Sequence, residues 1–335
     1  MKKWILFPLL AALFLSACQK TERTTEYTPD ESMRLTIYTS HKEEVYMPIV
    51  REFEERTGIW VDVIIGGTNE LLERIESQQD NVEADVMFGG GVESLKAYEH
   101  CFSPYVVGSS DSIREPHQAE DAVWTPFSAL PVVLIYNTKL VSPDKITGWS
   151  SLSDPIFRGR IAFADPAISG SSFTALATQI LAGKSMDKTL ATLAENLQGK
   201  TLSSSGDVLN AVVDGSCLVG ITLEETALKY IAAGADLAMV YPEEGTSCVP
   251  DASAIVKGAP HSENAKRFLD FTVSYEVQQI LSESSYRRPV RSDIPAGESL
   301  LPLQDIVLVD YDIDWACKNR DVILSDWLFY LKEAK

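Results

Sequence analysis

Arg160-Ile161-Ala162-Phe163-Ala164-Asp165-Pro166 is an apolar run closed by Asp-Pro, and Ser169-Gly170-Ser171-Ser172 follows it. Next comes Phe173-Thr174-Ala175-Leu176-Ala177-Thr178-Gln179-Ile180-Leu181-Ala182, ending at Gly183. The first run reads as a buried strand. The last reads as a helix, with apolar residues at helical spacing and a glycine where a C-cap belongs. The serines therefore fall in a strand-to-helix turn, where free backbone N–H groups and the positive end of the helix dipole converge. Hydroxyls and a permissive glycine make this a setting for a phosphate-like anion. A serine that merely caps the helix gives the same local pattern, so the rest of the chain has to decide.

Working outward, the same strand–loop–helix unit occurs three times near the start. Arg34-Leu35-Thr36-Ile37-Tyr38-Thr39-Ser40 alternates as a strand, and His41 opens a helix through about Thr57 with Val45, Ile49, Val50 and Phe53 on one face. Ile59–Ile65, the Gly66-Gly67-Thr68 loop and a helix over Asn69–Gln79 form the second unit. Ala84–Phe88, Gly89-Gly90-Gly91 and a helix through Ala97 form the third. This predicts a doubly wound α/β lobe whose ligand sits at the carboxyl ends of the strands. Its candidate lining is Ser40, His41, Gly67, Thr68, Gly89 and Gly90, although tight turns need glycine in any case. Trp124–Asn137, interrupted by Pro126 and Pro131, reads as a strand crossing into a second lobe that holds the serine turn. There Asp207 and Glu224 stand at helix starts, as caps or as readers of a ligand's organic part. The expected fold is α/β, two doubly wound lobes joined by a two-strand hinge. The expected boundaries are 34–126 for the first part of lobe 1, 127–245 for lobe 2, and 246–335 for the return to lobe 1 with closing helices.

The first 17 residues have a Lys2-Lys3 start and an apolar stretch from Trp4 to Leu15, too short for a membrane-stopping helix. Leu15-Ser16-Ala17-Cys18 resembles the end of a bacterial lipoprotein signal, which implies acylation of Cys18 and a polar tether over 18–33. Removing residues 1–17 takes away two of the 29 basic residues and no acid, leaving 27 against 48 acidic ones, a balance of −21. Such a surface excludes nucleic acid as a partner and repels anionic lipid, so membrane contact is expected through the lipid anchor only. An anionic ligand has to be held locally, by dipoles and a few arginines. Cys101, Cys217, Cys248 and Cys317 lack the spacing of a zinc cluster, and their pairing stays open.

Glu243-Glu244-Gly245-Thr246, Ala254–Pro260, Asn264–Phe271 and Arg287-Arg288-Pro289-Val290-Arg291, together with Leu35–Ser40, resemble one family. It is the extracellular solute-binding proteins of ABC importers, periplasmic-binding-protein-like, in the branch holding ferric-iron, aminoethylphosphonate and hexose-phosphate binders. The resemblance covers roughly residues 34–295. It implies closure of two lobes around a small anionic solute, delivery to ABC permease subunits, a monomer, no cofactor and no catalysis. His41-Lys42-Glu43 is similar to the histidine segment of the ferric binders. Their adjacent tyrosines are replaced here by Leu223-Glu224-Glu225-Thr226-Ala227, and the nearest phenol is Tyr230. His41 is then a hydrogen-bond donor, a helix-start residue or a metal ligand. The serine turn (Ser169, Gly170, Ser171 and Ser172) is similar to the anion-binding turn of the phosphonate and sugar-phosphate binders. One arginine, Arg288, is expected to reach the cleft, with Arg287 and Arg291 facing solvent. The expected cargo is a hexose phosphate or phosphonate, with no resident metal, and ferric iron is the alternative. A secreted hydrolase is the rival of another class. It lacks a GxSxG or HExxH motif, and the four histidines His41, His100, His117 and His261 are scattered.

Overall fold

The computed structural model describes residues 29–114, 117–118 and 121–335; the signal segment and Cys18 lie outside these. Strand β1 (Arg34–Thr39) leads to helix α1 (Glu43–Thr57), which buries Val45, Ile49, Val50 and Phe53 and stops at Gly58. That glycine holds φ +71° and returns its N–H to Glu54 O, a conformation a side chain would oppose. Then follow β2 (Trp60–Ile65), α2 (Thr68–Ser77), β3 (Val86–Gly91), α3 (Val92–Ala97) and the short β4 (Phe102–Ser103). Strands β1, β2 and β3 are parallel with β1 in the middle. One core packs against each face of this sheet, around Phe53 and Phe268 on one side and around Leu72 and Trp124 on the other. Parallel strands covered on both faces are what the repeated strand–loop–helix pattern requires.

Strand β5 (Thr125–Asn137) is buried along its whole length. Its first half pairs with β9 (Cys248–Val256) and its second half with β7 (Val219–Leu223) and β8 (Leu237–Val240). The partner changes between Pro131 and Val132. Strand β9 in turn pairs with β3, so β5 and β9 run side by side as the hinge between two lobes. Lobe 2 contains β6 (Ile161–Ala162), α4 (Gly170–Gly183), α5 (Met186–Leu197), α6 (Ser205–Val213), β7, α7 (Glu224–Ala232) and β8. The chain returns to lobe 1 through β9, α8 (Ser262–Thr272), α9 (Tyr275–Ser284) and β10 (Arg288–Pro289). The tail, α10 (Ile313–Lys318) and α11 (Arg320–Glu333), straps both lobes: α10 packs on α3, and α11 packs on α5 with Trp327 in the lobe 2 core.

Local details differ from the sequence reading. The strand before the serine turn shrinks to Ile161–Ala162, continued only by an isolated bridge between Ala164 and Leu202. The end of the expected tether is fixed. Glu31–Met33 forms a 3-10 turn capped by Asp30, and Asn264 Nδ2 donates to Ser32 O at 2.9 Å. The four cysteines of the described residues are free thiols. No described helix is long and apolar enough to cross a membrane.

Candidate functional site

Helices α1, α2, α3, α4, α6 and α7 all begin at the wall of one cavity of about 540 Å³ between the lobes. Each follows a strand or loop that ends there, so first-turn N–H groups of both lobes face the same space. The starts of α1, α2 and α7, at Lys42, Gly67 and Leu223, carry no side-chain cap.

The serine turn lies on this wall. Ser169 caps α4 by accepting from Ser172 N at 3.4 Å, and its Oγ also contacts Ser171 Oγ at 3.1 Å and Ser172 Oγ at 3.2 Å. Ser169, Gly170 and Ser171 line the cavity, while Ser172 is buried behind them. The N-terminus of α2 stands directly across. A Cβ on Gly170 would come within 3.0 Å of Thr68 Oγ1, and Asn69 Nδ2 donates to Ala167 O at 2.7 Å. The lobes therefore touch at this edge.

Ser40, His41, Gly67, Thr68 and Gly90 also line the cavity. His41 is buried, its ring centroid 4.6 Å from that of Phe88 and 5.2 Å from that of Phe127. Its Nε2 stands 3.6 Å from Asp251 Oδ2 and has no hydrogen-bond partner. Burial, then the Arg287 cation, pushes the imidazole well below its ordinary pKa, so it is neutral at neutral pH. Gly89, at φ +104°, makes room for it, since a Cβ there would stand 2.9 Å from Nε2.

Like Ser172, the expected site residues Asp207, Glu224 and Arg288 lie off the lining. Glu224 is sealed under lobe 2, where Arg288 Nε and Nη2 grip its carboxylate at 2.8 and 2.7 Å and Tyr241 donates to it. Arg288 is spent in that pair and on Leu301 O. Their chain neighbours, Glu225 and Arg287, face the cavity instead. The reason is geometric. Successive helix residues point about 100° apart and successive strand residues point to opposite faces. Asp207 accepts from Ser203 Oγ and Ser204 Oγ, both at 2.8 Å, while Ser204 caps the helix by accepting from Asp207 N at 3.2 Å. Ser203, Ser204, Ser205 and Gly206 line the wall in its place. Arg287 and Arg291 are buried rather than solvent-facing, Arg291 held by Asp293 and Val273 O.

The floor is a charge-matched network. Arg287 Nη1 donates to Asp251 Oδ2 at 2.7 Å and to Ser128 Oγ at 2.8 Å, and Nη2 reaches Glu225 Oε1 at 3.4 Å. Lys229 Nζ lies 3.0 Å from Glu225 Oε2. Burial opposes the Glu225 charge, but Arg287 and Lys229 outweigh it and hold the carboxyl down to about 2. Lys42 also lines the cavity, with no ion-pair partner among the described residues. Sequence reasoning missed Lys42, Glu225, Arg287 and Asp251. The first three sat beside chosen residues, and Asp251 had no local signal.

No tyrosine is among the described lining residues, and Tyr230 instead bonds Asn210 at 3.3 Å. Among the described residues, the cluster with metal-ligand spacing is the exposed Glu76 and His100 with the buried Cys101, away from the cavity.

The profile of one family, described as bacterial extracellular solute-binding protein, matches residues 35–287. The chain belongs to this family. The chain is 26% identical to iron uptake protein A1 of Synechocystis sp. over 311 residues, covering 87% of this chain and 86% of that one. It is 24% identical over 255 residues to a putative 2-aminoethylphosphonate-binding periplasmic protein of Salmonella typhi, covering 73% and 74%. In structure it is similar to the periplasmic binding protein AfuA of Actinobacillus pleuropneumoniae with exogenous fructose 6-phosphate bound. That match has a TM-score of 0.83 at 25% identity and covers 89% of this chain and 98% of that one. This member of the family is thus an exported, non-enzymatic solute-binding protein of an ABC importer, with a small solute and permease subunits as partners.

Proposed function

We propose that the cavity captures a small phosphorylated organic anion, a hexose phosphate before a phosphonate, by closure of the two lobes. The observation that carries this is the convergence of helix N-termini from both lobes, several uncapped, on one cavity. Such ends donate N–H groups to an anion, which at α2 has to displace Glu70 Oε2 from Gly67 N, where it accepts at 3.3 Å. Ser169 and Ser171, Thr68 and Lys42 surround the phosphoryl group, and closing the lobes strengthens these bonds by excluding water. His41, Glu225 and Asp251 read hydroxyls from the floor. Both carboxylates already have cationic partners. On the floor an ammonium group therefore finds no free anion, whereas Glu70 on the wall has no ion-pair partner among the described residues.

Ferric iron is the second reading. It has one observation in its favour: a neutral His41 with a free Nε2 beside Asp251. It lacks lining phenolates, and it would have to take Asp251 and Glu225 from Arg287 and Lys229. Isothermal calorimetry with fructose 6-phosphate, 2-aminoethylphosphonate, inorganic phosphate and ferric citrate separates the readings. Heat from the sugar phosphate with none from inorganic phosphate alone supports the first reading. Heat from none of the phosphorus compounds, with heat from ferric citrate that His41→Gln abolishes, replaces it with the second.

The same proposal places the protein on the membrane through a lipid on Cys18, working as a monomer. Fatty-acid labelling of the mature N-terminus, lost in Cys18→Ser, tests the anchor. Light scattering tests the monomer.

A further inference from the structure

Behind the cavity, a second contact joins the lobes. Glu93, in the first turn of α3, is fully buried. Thr174 Oγ1, on α4 of the other lobe, donates to Glu93 Oε1, and Thr174 itself lines the cavity. Two parts of the C-terminal strap meet the same carboxyl, with the Tyr311 hydroxyl before α10 and the Arg320 guanidinium at the start of α11 facing it. Arg320 also stands over the Phe173 ring of α4, 5.6 Å from its centroid. From α10, the Cys317 thiol faces Glu93, and Asp314 is occupied by Lys96 of α3. Glu93 Oε2, Tyr311 Oη, Ser94 Oγ and Arg320 Nε have no hydrogen-bond partner.

A carboxyl placed this way meets two different environments. With the lobes apart, water reaches it and solvates its charge. With the lobes together, it is dry, with the Thr174 hydroxyl bonded to it and the Tyr311 hydroxyl and its own backbone N–H beside it. Transfer of a charge out of water with so few bonds is unfavourable, whereas a neutral carboxyl crosses at much lower cost. We propose that Glu93 is a positioning residue for solute capture, its carboxyl taking up a proton as the lobes close and bridging α3 to Thr174 in the closed form. Burial is the largest influence on its pKa here and raises it; Thr174, the Glu93 backbone N–H, Arg320 and Tyr311 oppose this without cancelling it. The sign follows by linkage. The closed form holds the proton to higher pH than the open form, so closure is favoured at low pH and lost as pH rises through the closed-state value. The inference rests on closure of two lobes and not on which solute is bound.

Small-angle scattering of the mature, ligand-free protein tests it without a ligand. The radius of gyration of the wild type rises as pH goes from about 5 to about 8. Glu93→Gln, which mimics the neutral carboxyl, stays compact across the range. Thr174→Val, which removes the bridge but not the titrating group, is more open than the wild type at the acid end. An unchanged radius in the wild type, or the same pH response in Glu93→Gln, overturns the proposal. Where fructose 6-phosphate binds, calorimetry in two buffers of different ionisation enthalpy adds a second reading. Proton uptake on binding is greater for the wild type than for Glu93→Gln, and equal uptake counts against the coupling.

Discussion

Arg287 and Arg288 are adjacent in the chain, both are buried, and each pairs with a glutamate from the start of α7, yet they serve different parts of the molecule. Arg287, with Asp251, Glu225 and Lys229, forms the cavity floor. Arg288, with Glu224 and Tyr241, fastens β10 to α7 out of reach of the cavity. Identical residue types at successive positions thus divide into a network that meets solute and one that holds the scaffold. Residue type did not make the division. The direction of each side chain from its backbone did.

The largest effects should come from breaking either network. Arg288→Met leaves Glu224 charged and buried, and thermal denaturation should show a loss of about 3–5 kcal/mol. The molecules that remain folded should bind solute as before. Arg287→Met should lose a comparable amount of stability and also its affinity. Equal loss of affinity in both variants would end the distinction between floor and scaffold.

A second test acts on closure. Gly170→Ala puts a methyl carbon about 3.0 Å from Thr68 Oγ1 across the cleft. Overpacking of this kind costs about 1–3 kcal/mol. Because the clash exists only when the lobes meet, the cost should appear as a roughly 5- to 150-fold loss of affinity, with the melting temperature of the ligand-free protein little changed. Thr68→Ala in the same chain should restore part of it. Failure of that rescue would mean that the helix itself, not the opposing lobe, needs the glycine.

The floor should also show itself through pH. Glu225 is held at about 2 against an ordinary 4.5. Its folded-state value is depressed, so its contribution is complete above the unfolded value and disappears as pH falls from about 4.5 toward 2. At about 1.4 kcal/mol per unit this amounts to roughly 3 kcal/mol. His41 acts over a higher window. The unfolded chain protonates it below about 6.5 while the folded chain resists, so stability falls as pH drops below that value. Melting curves of Glu225→Gln should be flatter below pH 4.5, and those of His41→Gln flatter just below 6.5. Unchanged profiles would show that these groups do not carry the dependence.

The architecture was readable because periodicity reports it. The parallel β1–β3 units, the crossing strand β5 and the amphipathic α1 all follow from spacing and glycine stops. The serine turn was readable for the same reason, since a strand, a turn and a helix define where its N–H groups point. The floor was only half readable. Glu225 and Arg287 were visible as members of pairs, but choosing between neighbours needs the phase of a short helix or a two-residue strand, which sequence fixes to no better than a residue or two. Asp251 lies on β9 and meets Arg287 only after the chain has crossed between lobes, so no local pattern marks it. Lys42 was passed over because helix dipoles and a few arginines were expected to hold the anion.

The serine turn repeats the division between neighbours on a smaller scale and supplies the mildest test. Ser171 lines the cavity and Ser172 does not, although both contact the Ser169 hydroxyl. Ser171→Ala removes one neutral hydrogen bond to the solute, worth about 1 kcal/mol, and should weaken binding by roughly fivefold with little change in melting temperature. Ser172→Ala removes a buried hydroxyl that serves the turn, so a similar cost should appear in stability and leave affinity nearly intact. If Ser172→Ala weakened binding more than Ser171→Ala, the solute would have to approach α4 from its buried side. The cavity wall, and with it the assignment of floor and scaffold, would then have to be redrawn around the interior of lobe 2.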